Sequence, residues 1–151
     1  MEITCCWTKD DVVCGAVASV HYCLPLCPVH YLSHIDGRGY VLRQAAGVHG
    51  VEAFPGFCYI LLFDDESVKI GYSNTETLLQ RRFKDLARDA KKAGESFEVM
   101  AVLTGGCALE AVLHHRFRED RIQGKGERFR LSEGILDYLA TAPRLGLSVA
   151  V

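Results

Sequence analysis

The sequence predicts an α+β protein: a small, mostly antiparallel three-stranded sheet flanked by helices, preceded by a small cysteine-rich module. Three observations predict it. Residues 57–73, FCYILLFDDESVKIGYS, are two apolar runs joined by a polar turn, the pattern of a β-hairpin. Beyond it, two stretches with apolar residues at helical spacing flank a third apolar run, FEVMAVL. Five of the seven cysteines fall within residues 5–27.

The elements follow in order. Residues 1–35 hold Pro25 and Pro28 and show no sustained helical period, so they read as a module of turns and short strands. Residues 36–55 contain four glycines and no clear periodicity, and read as a linker. Strands are expected at 57–63 and 67–72, each with a tyrosine, Tyr59 and Tyr72. Gly71 lies inside the second, where glycine marks a bulge or a close approach. Asn74 or Thr75 can cap a helix running to about Lys92, with Leu78, Leu79, Phe83, Leu86 and Ala90 on one face. Gly94 stops it. Residues 97–103 read as a strand, and Gly105 and Gly106 open a helix with Leu109, Val112, Leu113 and Phe117 as its apolar stripe. ERFRL, residues 127–131, reads as a short extended piece, and Ser132 with Glu133 starts a last helix. The third region therefore spans 56–140, with 141–151 as a tail.

Composition excludes several classes. The chain has 151 residues, 49% of them hydrophobic and 24% charged, enough for one ordinary core and a soluble surface. No apolar run approaches the roughly 20 residues that cross a bilayer. The start, MEITCCWTKDD, has no basic stretch followed by an apolar one, so no secretory signal is read there. An intracellular, cytoplasmic protein without a membrane partner is expected. The net charge of −2 gives no global basic signature for nucleic acid. Locally, QRRFKDLARDAKK and HRFREDRIQGKGERFR concentrate basic residues, which makes a polyanion partner plausible for that part alone.

Crowded cysteines in a reducing compartment point to metal before disulfides. Cys27 and His30, in CPVH, stand three positions apart, a spacing that suits a zinc-binding turn. A structural zinc site takes four such ligands in a closed tetrahedron. Cys14 and one of Cys5 or Cys6 complete Cys₃His; taking Cys6 gives the set Cys6, Cys14, Cys27 and His30. Cys23, His21 and His34 are spare candidates, and Cys23 and Cys58 read better as buried, inert thiols. C14-G-A-V-A and L26-C27-P-V-H30 together resemble short treble-clef zinc modules that read Cys…CGxxA…LCxxH.

The hairpin is followed by RRF at 81–83, ALEAVLHHRF at 108–117 and GERFRL at 126–131. This ordered set, over about residues 56–135, resembles the GIY-YIG endonuclease superfamily, most of all its small branch in phage and meiotically up-regulated proteins. The resemblance implies that Tyr59 is the tyrosine of the first motif and that Lys69-Ile70-Gly71 is the second, with the lysine common in that branch. It implies that Arg82, or Arg81 in the alternative register, is the motif's arginine. Glu110 falls on the metal-binding glutamate and His114 on the branch's helix histidine. Glu127 stands in GERF where GEWF is usual, so Arg128 replaces an aromatic residue. Gly71, Tyr72, Arg81 and Glu127 would then border the substrate.

Those residue types suit phosphodiester hydrolysis of DNA. Glu110 can hold Mg²⁺ (or Mn²⁺) that also takes the scissile phosphate. The planar fork of Arg82 suits a phosphate. Tyr59, with an ordinary pKa near 10, needs positive charge nearby to act as a base, and Lys69 can supply it. Ordinary roles stand beside these: Tyr59 as a cross-strand partner, Arg82 as a solvated helix residue, Glu110 paired with His114 one turn on. Two other functions fit the same sequence. One is a catalytically silent nucleic-acid-binding protein; the other is a zinc-centred module that docks a protein partner, with the C-terminal region as scaffold. The nuclease reading requires Tyr59, Lys69, Arg82 and Glu110 to converge on one concave surface.

Overall fold

The computed structural model describes residues 4–6, 8–9, 12–21 and 24–147. It divides into two compact units, Met1–Val41 and Leu42–Val151.

The first unit is built on short antiparallel pairs. Strand β1 (Thr8–Lys9) pairs with β2 (Val12–Val13), and β3 (Ser19–His21) with β4 (Leu24–Leu26). The segment before β1 is tied to the stretch after β2 and to β4. Cys5 N–H donates to Ala16 O and Cys6 N–H to Pro25 O, each at 2.8 Å.

Helix α1 runs from Pro28 to His49, and the division between the units falls within it. This corrects the linker read at 36–55: helix continues to His49, and Val51–Ala53 form a 3₁₀ turn. The second half of α1 buries only Leu42 and Ala46, one turn apart. Two residues are too short an apolar stripe to register as a period, and the glycines around them lower the helical signal. Gly50, at φ +82°, ends the helix and donates its N–H to Ala46 O at 2.8 Å.

The second unit is a sheet between helices. Strands β5 (Phe57–Phe63), β6 (Ser67–Ser73), β7 (Phe97–Thr104) and β8 (Arg128–Arg130) lie in the order β7-β5-β6-β8, every pair antiparallel. The expected three-stranded sheet is thus four-stranded. The added strand is the short piece read only as extended, which pairs with Ser67–Lys69. Three residues with one buried side chain, Phe129, hold too few positions to show alternation.

Period-two alternation feeds two cores. Tyr59, Leu61 and Phe63 face helix α2 (Glu76–Lys92), which buries Leu79, Phe83 and Ala90 against them. Cys58, Ile60, Val68 and Ile70 face the opposite side, covered by α3 (Gly106–Arg116) and α4 (Glu133–Thr141). A fully buried Phe83 contributes about 2–3 kcal/mol by area alone. Thr75, of the two candidate caps, accepts from Leu78 N–H at 3.2 Å, and Ser132 caps α4 from Ile135 N–H. No helix among the described residues is long and apolar enough to cross a membrane.

One detail of topology positions the site. Strand β8 covers β6 only as far as Lys69, so the outer edge of β6 beyond it has no strand partner. That edge opens between α2 and α3.

Candidate functional site

An open cavity of about 550 Å³ in the second unit is lined by Tyr59 from β5, Gly71 from β6, Arg81 and Arg82 from α2, Glu110 from α3, and Glu127 from the loop before β8. Strand alternation turns Tyr59 toward α2, where its ring is 1% exposed and meets Phe83 edge-on at 5.2 Å. Its hydroxyl accepts a long hydrogen bond, 3.4 Å, from Arg82 Nε. Directly across the ladder stands Gly71. A Cβ at Gly71 would lie 2.5 Å from Tyr59 Cζ and 2.9 Å from Cε2, so the glycine exists to admit the tyrosine ring.

Helix α3 buries Leu109 and Leu113 against the sheet, and Phe117 just beyond it. Glu110, one position round, is half-buried and turned into the cavity.

Charge in the cavity is mixed. Burial pushes the Tyr59 phenol above its ordinary value, and the carboxylates of Glu127 and Glu110 push the same way, while Arg82 only partly offsets them. The hydroxyl is therefore protonated at neutral pH. The Tyr59 hydroxyl, with Glu127 and Asp85, raises Arg82, so it is a permanent cation. Burial pushes Glu127 up, but the hydrogen bond and charge of Lys69, helped by His114 and Arg82, hold it below the usual carboxylate value.

Two expected residues act at one remove. Lys69 does not line the cavity; its ammonium lies 2.9 Å from Glu127 Oε2, with the side chain 13% exposed. It holds Glu127 in place. His114 Nε2–H donates to Ile70 O at 2.9 Å, and its ring packs edge-on against Phe129 at 5.1 Å. It takes up the β6 carbonyl just past the end of β8. Burial lowers its pKa, and the bond to the Ile70 carbonyl, which favours the protonated ring, offsets this only in part. Tyr72 and Arg81 do line the cavity.

A second constellation lies in the first unit. The Sγ atoms of Cys5, Cys14 and Cys27 are all within 4.8 Å of one another. Zinc–sulfur bonds of about 2.3 Å in a tetrahedron separate sulfurs by about 3.8 Å, so the trio fits a zinc ion. Cys5 and Cys27 are buried and Cys14 is exposed. The Ala16 N–H donates to the Cys14 sulfur and lowers its pKa, but burial and the neighbouring Cys27 and Cys5 thiols outweigh it and leave the thiol above its ordinary value in the absence of a metal. Gly15, at φ +66°, makes the turn that aims it. Cys6, the expected first ligand, is exposed and outside the trio, and Cys5 takes its place. Adjacent residues of extended chain point opposite ways, so only one of the two can face inward. The side chain of His30 and all of Cys23 lie outside the described residues.

No family model, curated protein or solved structure matches the chain.

Asp85, Asn74 and Ser73 also line the cavity and carried no motif signal. For Asp85 a helical wheel holds the clue, since it falls between Arg81 and Arg82 on one side of α2. Arg128 has a local explanation. Its guanidinium sits 3.6 Å over the Phe63 ring and grips Glu95 through two bonds of 3.1 and 2.6 Å. Stacking on Phe63 lets an arginine do the packing of an aromatic side chain. Cys58 is fully buried, and burial followed by the Glu110 charge pushes its thiol far up, so it is inert.

Proposed function

We propose that the second unit is a metal-dependent endonuclease of GIY-YIG type that hydrolyses phosphodiester bonds of DNA, and that the first unit holds a structural zinc through Cys5, Cys14 and Cys27. The observation that carries the nuclease reading is convergence of three of the four expected residues: Tyr59, Arg82 and Glu110, from three separate elements, line one cavity, and Lys69 reaches it only through its pair with Glu127. The zinc reading rests on the sulfur trio and the amide aimed at Cys14.

Glu110 is the residue that would hold a hard divalent ion, because Mg²⁺ takes one or two carboxylates and fills its other positions with water and phosphate oxygens. Asp85 and Glu127 line the same cavity but are paired with Arg88 and Lys69 and do not gather with Glu110 into a metal-sized cluster. When bound, Mg²⁺ or Mn²⁺ supplies Lewis-acid stabilisation of charge on the phosphate. The rest belongs to the chain. Arg82 neutralises a non-bridging oxygen of the scissile phosphate. The Tyr59 hydroxyl, held against Arg82, accepts a hydrogen bond from the attacking water and orients it. Lys69 fixes Glu127 at the cavity rim, and His114 fixes the β6 edge on which Gly71 stands.

One observation favours a silent nucleic-acid-binding protein instead: Tyr59 is protonated and buried, and so a weak base. Supercoiled plasmid separates the two. The nuclease reading expects nicking in 5 mM Mg²⁺ that falls about 100-fold or more in Glu110→Gln and in Tyr59→Phe. A wild-type protein that shifts DNA in a salt-dependent way yet never nicks it with Mg²⁺ or Mn²⁺ establishes the silent reading.

A further inference from the structure

Helix α2 carries six Lys and Arg residues against three acids. At 100° per residue its buried side, Leu79, Phe83, Leu86 and Ala90, occupies one half of the wheel. Arg81, Lys84, Arg88, Lys91 and Lys92 fall within an arc of about 100° on the other half, and no acid falls inside that arc. All five are exposed. Asp85 and Asp89 lie on the flank of the arc, and Asp85 turns into the cavity. Arg88 pairs with both, at 3.1 and 3.4 Å, but through exposed side chains. Exposed pairs of this kind are worth little and exchange readily for another anion.

The stripe is continuous with the cavity. Arg81 belongs to both: it lines the cavity and begins the row. From Arg81 to Lys92 the row runs about 16 Å at 1.5 Å per residue. A duplex presents a phosphate on each strand about every 3.4 Å of its axis, so the row covers roughly five base pairs. A row of cations along one rigid helix, leading from an open cavity, matches a stiff backbone better than a compact anion.

We infer that the outer face of α2 is a tracking surface for the backbone of duplex DNA, which binds the strand beyond the phosphate held in the cavity. This rests on the nuclease reading for the direction of the strand, while the binding itself does not depend on cleavage. The contacts are to phosphate, so they supply affinity without sequence preference.

The test replaces only residues outside the cavity lining: Lys84→Gln, Arg88→Gln, Lys91→Gln and Lys92→Gln together, in the full chain. Affinity for a fluorescent 20-base-pair duplex is followed from 50 to 200 mM NaCl without added Mg²⁺. Loss of four phosphate contacts should weaken binding at least tenfold at 50 mM salt and make the slope of log K against log salt shallower by about three to four. Charge reversal at two positions, Lys84→Glu with Lys91→Glu, should weaken it at least as much. An unchanged slope in the fourfold variant overturns the inference. So does tighter binding of the wild type to phosphatidylcholine–phosphatidylserine vesicles than to the duplex. A wild type that cuts nothing but loses its salt slope in the fourfold variant upholds the tracking surface while removing the nuclease.

Discussion

The two units gather their chemistry in opposite ways. In the first, three sulfurs are drawn together from residues 5 to 27, and two of them, those of Cys5 and Cys27, are buried. In the second, the cavity draws on residues from 59 to 127, and a sheet packed on both faces sets their positions without any ion. On the proposed zinc reading the first site makes its own scaffold, whereas the second borrows one. A zinc-held first unit stands or falls with its metal, as small metal-centred modules do. The second should tolerate loss of any single functional side chain and keep its fold.

Metal removal is the strongest way to break that contrast. Binding at structural zinc sites contributes about 10–16 kcal/mol near neutral pH, far more than so small a unit can lose. Chelation, or Cys27→Ser, should abolish amide exchange protection across residues 4–27 and leave β5–β7 protected. Protection of 4–27 that survives complete metal removal would erase the distinction.

The next effect belongs to the second core. Phe83→Ala should lower stability by about 3–5 kcal/mol, read as a shift in the urea midpoint at constant slope. Gly71→Ala, which drives a methyl into the Tyr59 ring, should cost about 1–3 kcal/mol. That cost should shrink when Tyr59→Ala is added, since the same ring causes both. A cost that adds in full would mean the glycine serves something other than the ring.

The smallest effect concerns pH. The folded pKa of His114 is depressed by burial below the ordinary 6.5, so the unfolded chain binds the proton more readily. Stability is then complete above about pH 6.5 and declines as pH falls through the folded value. Urea midpoints at pH 7.5 and 5.5 should differ less in His114→Gln than in the wild type. Equal differences would remove His114 from the β6 edge.

The same contrast explains what was legible in advance. Strands β5 to β7 and helices α2 and α3 could be read because each buries a stripe against the sheet, which imposes a period on the sequence, and α4 could be read from its Ser132 cap. The cavity was legible where a residue type and a motif coincided, as at Tyr59, Arg82 and Glu110. The second half of helix α1 was not, because Leu42 and Ala46 alone leave no period there. The choice of Cys5 over Cys6 depends on which way one extended residue faces, and neighbouring identical residues give no sign of it. The pairing of Lys69 with Glu127 is not legible, because the two are 58 residues apart and no local pattern announces such a pair.

The account turns on Glu110 completing the cavity that Tyr59 and Arg82 begin. Its most direct test is nicking of supercoiled plasmid by the zinc-loaded full chain in Mg²⁺, set against Glu110→Gln with the same melting curve. The account predicts nicking by the wild type and a loss of at least 100-fold in the variant, with duplex binding in the absence of Mg²⁺ unchanged. Equal nicking by the two proteins would contradict it.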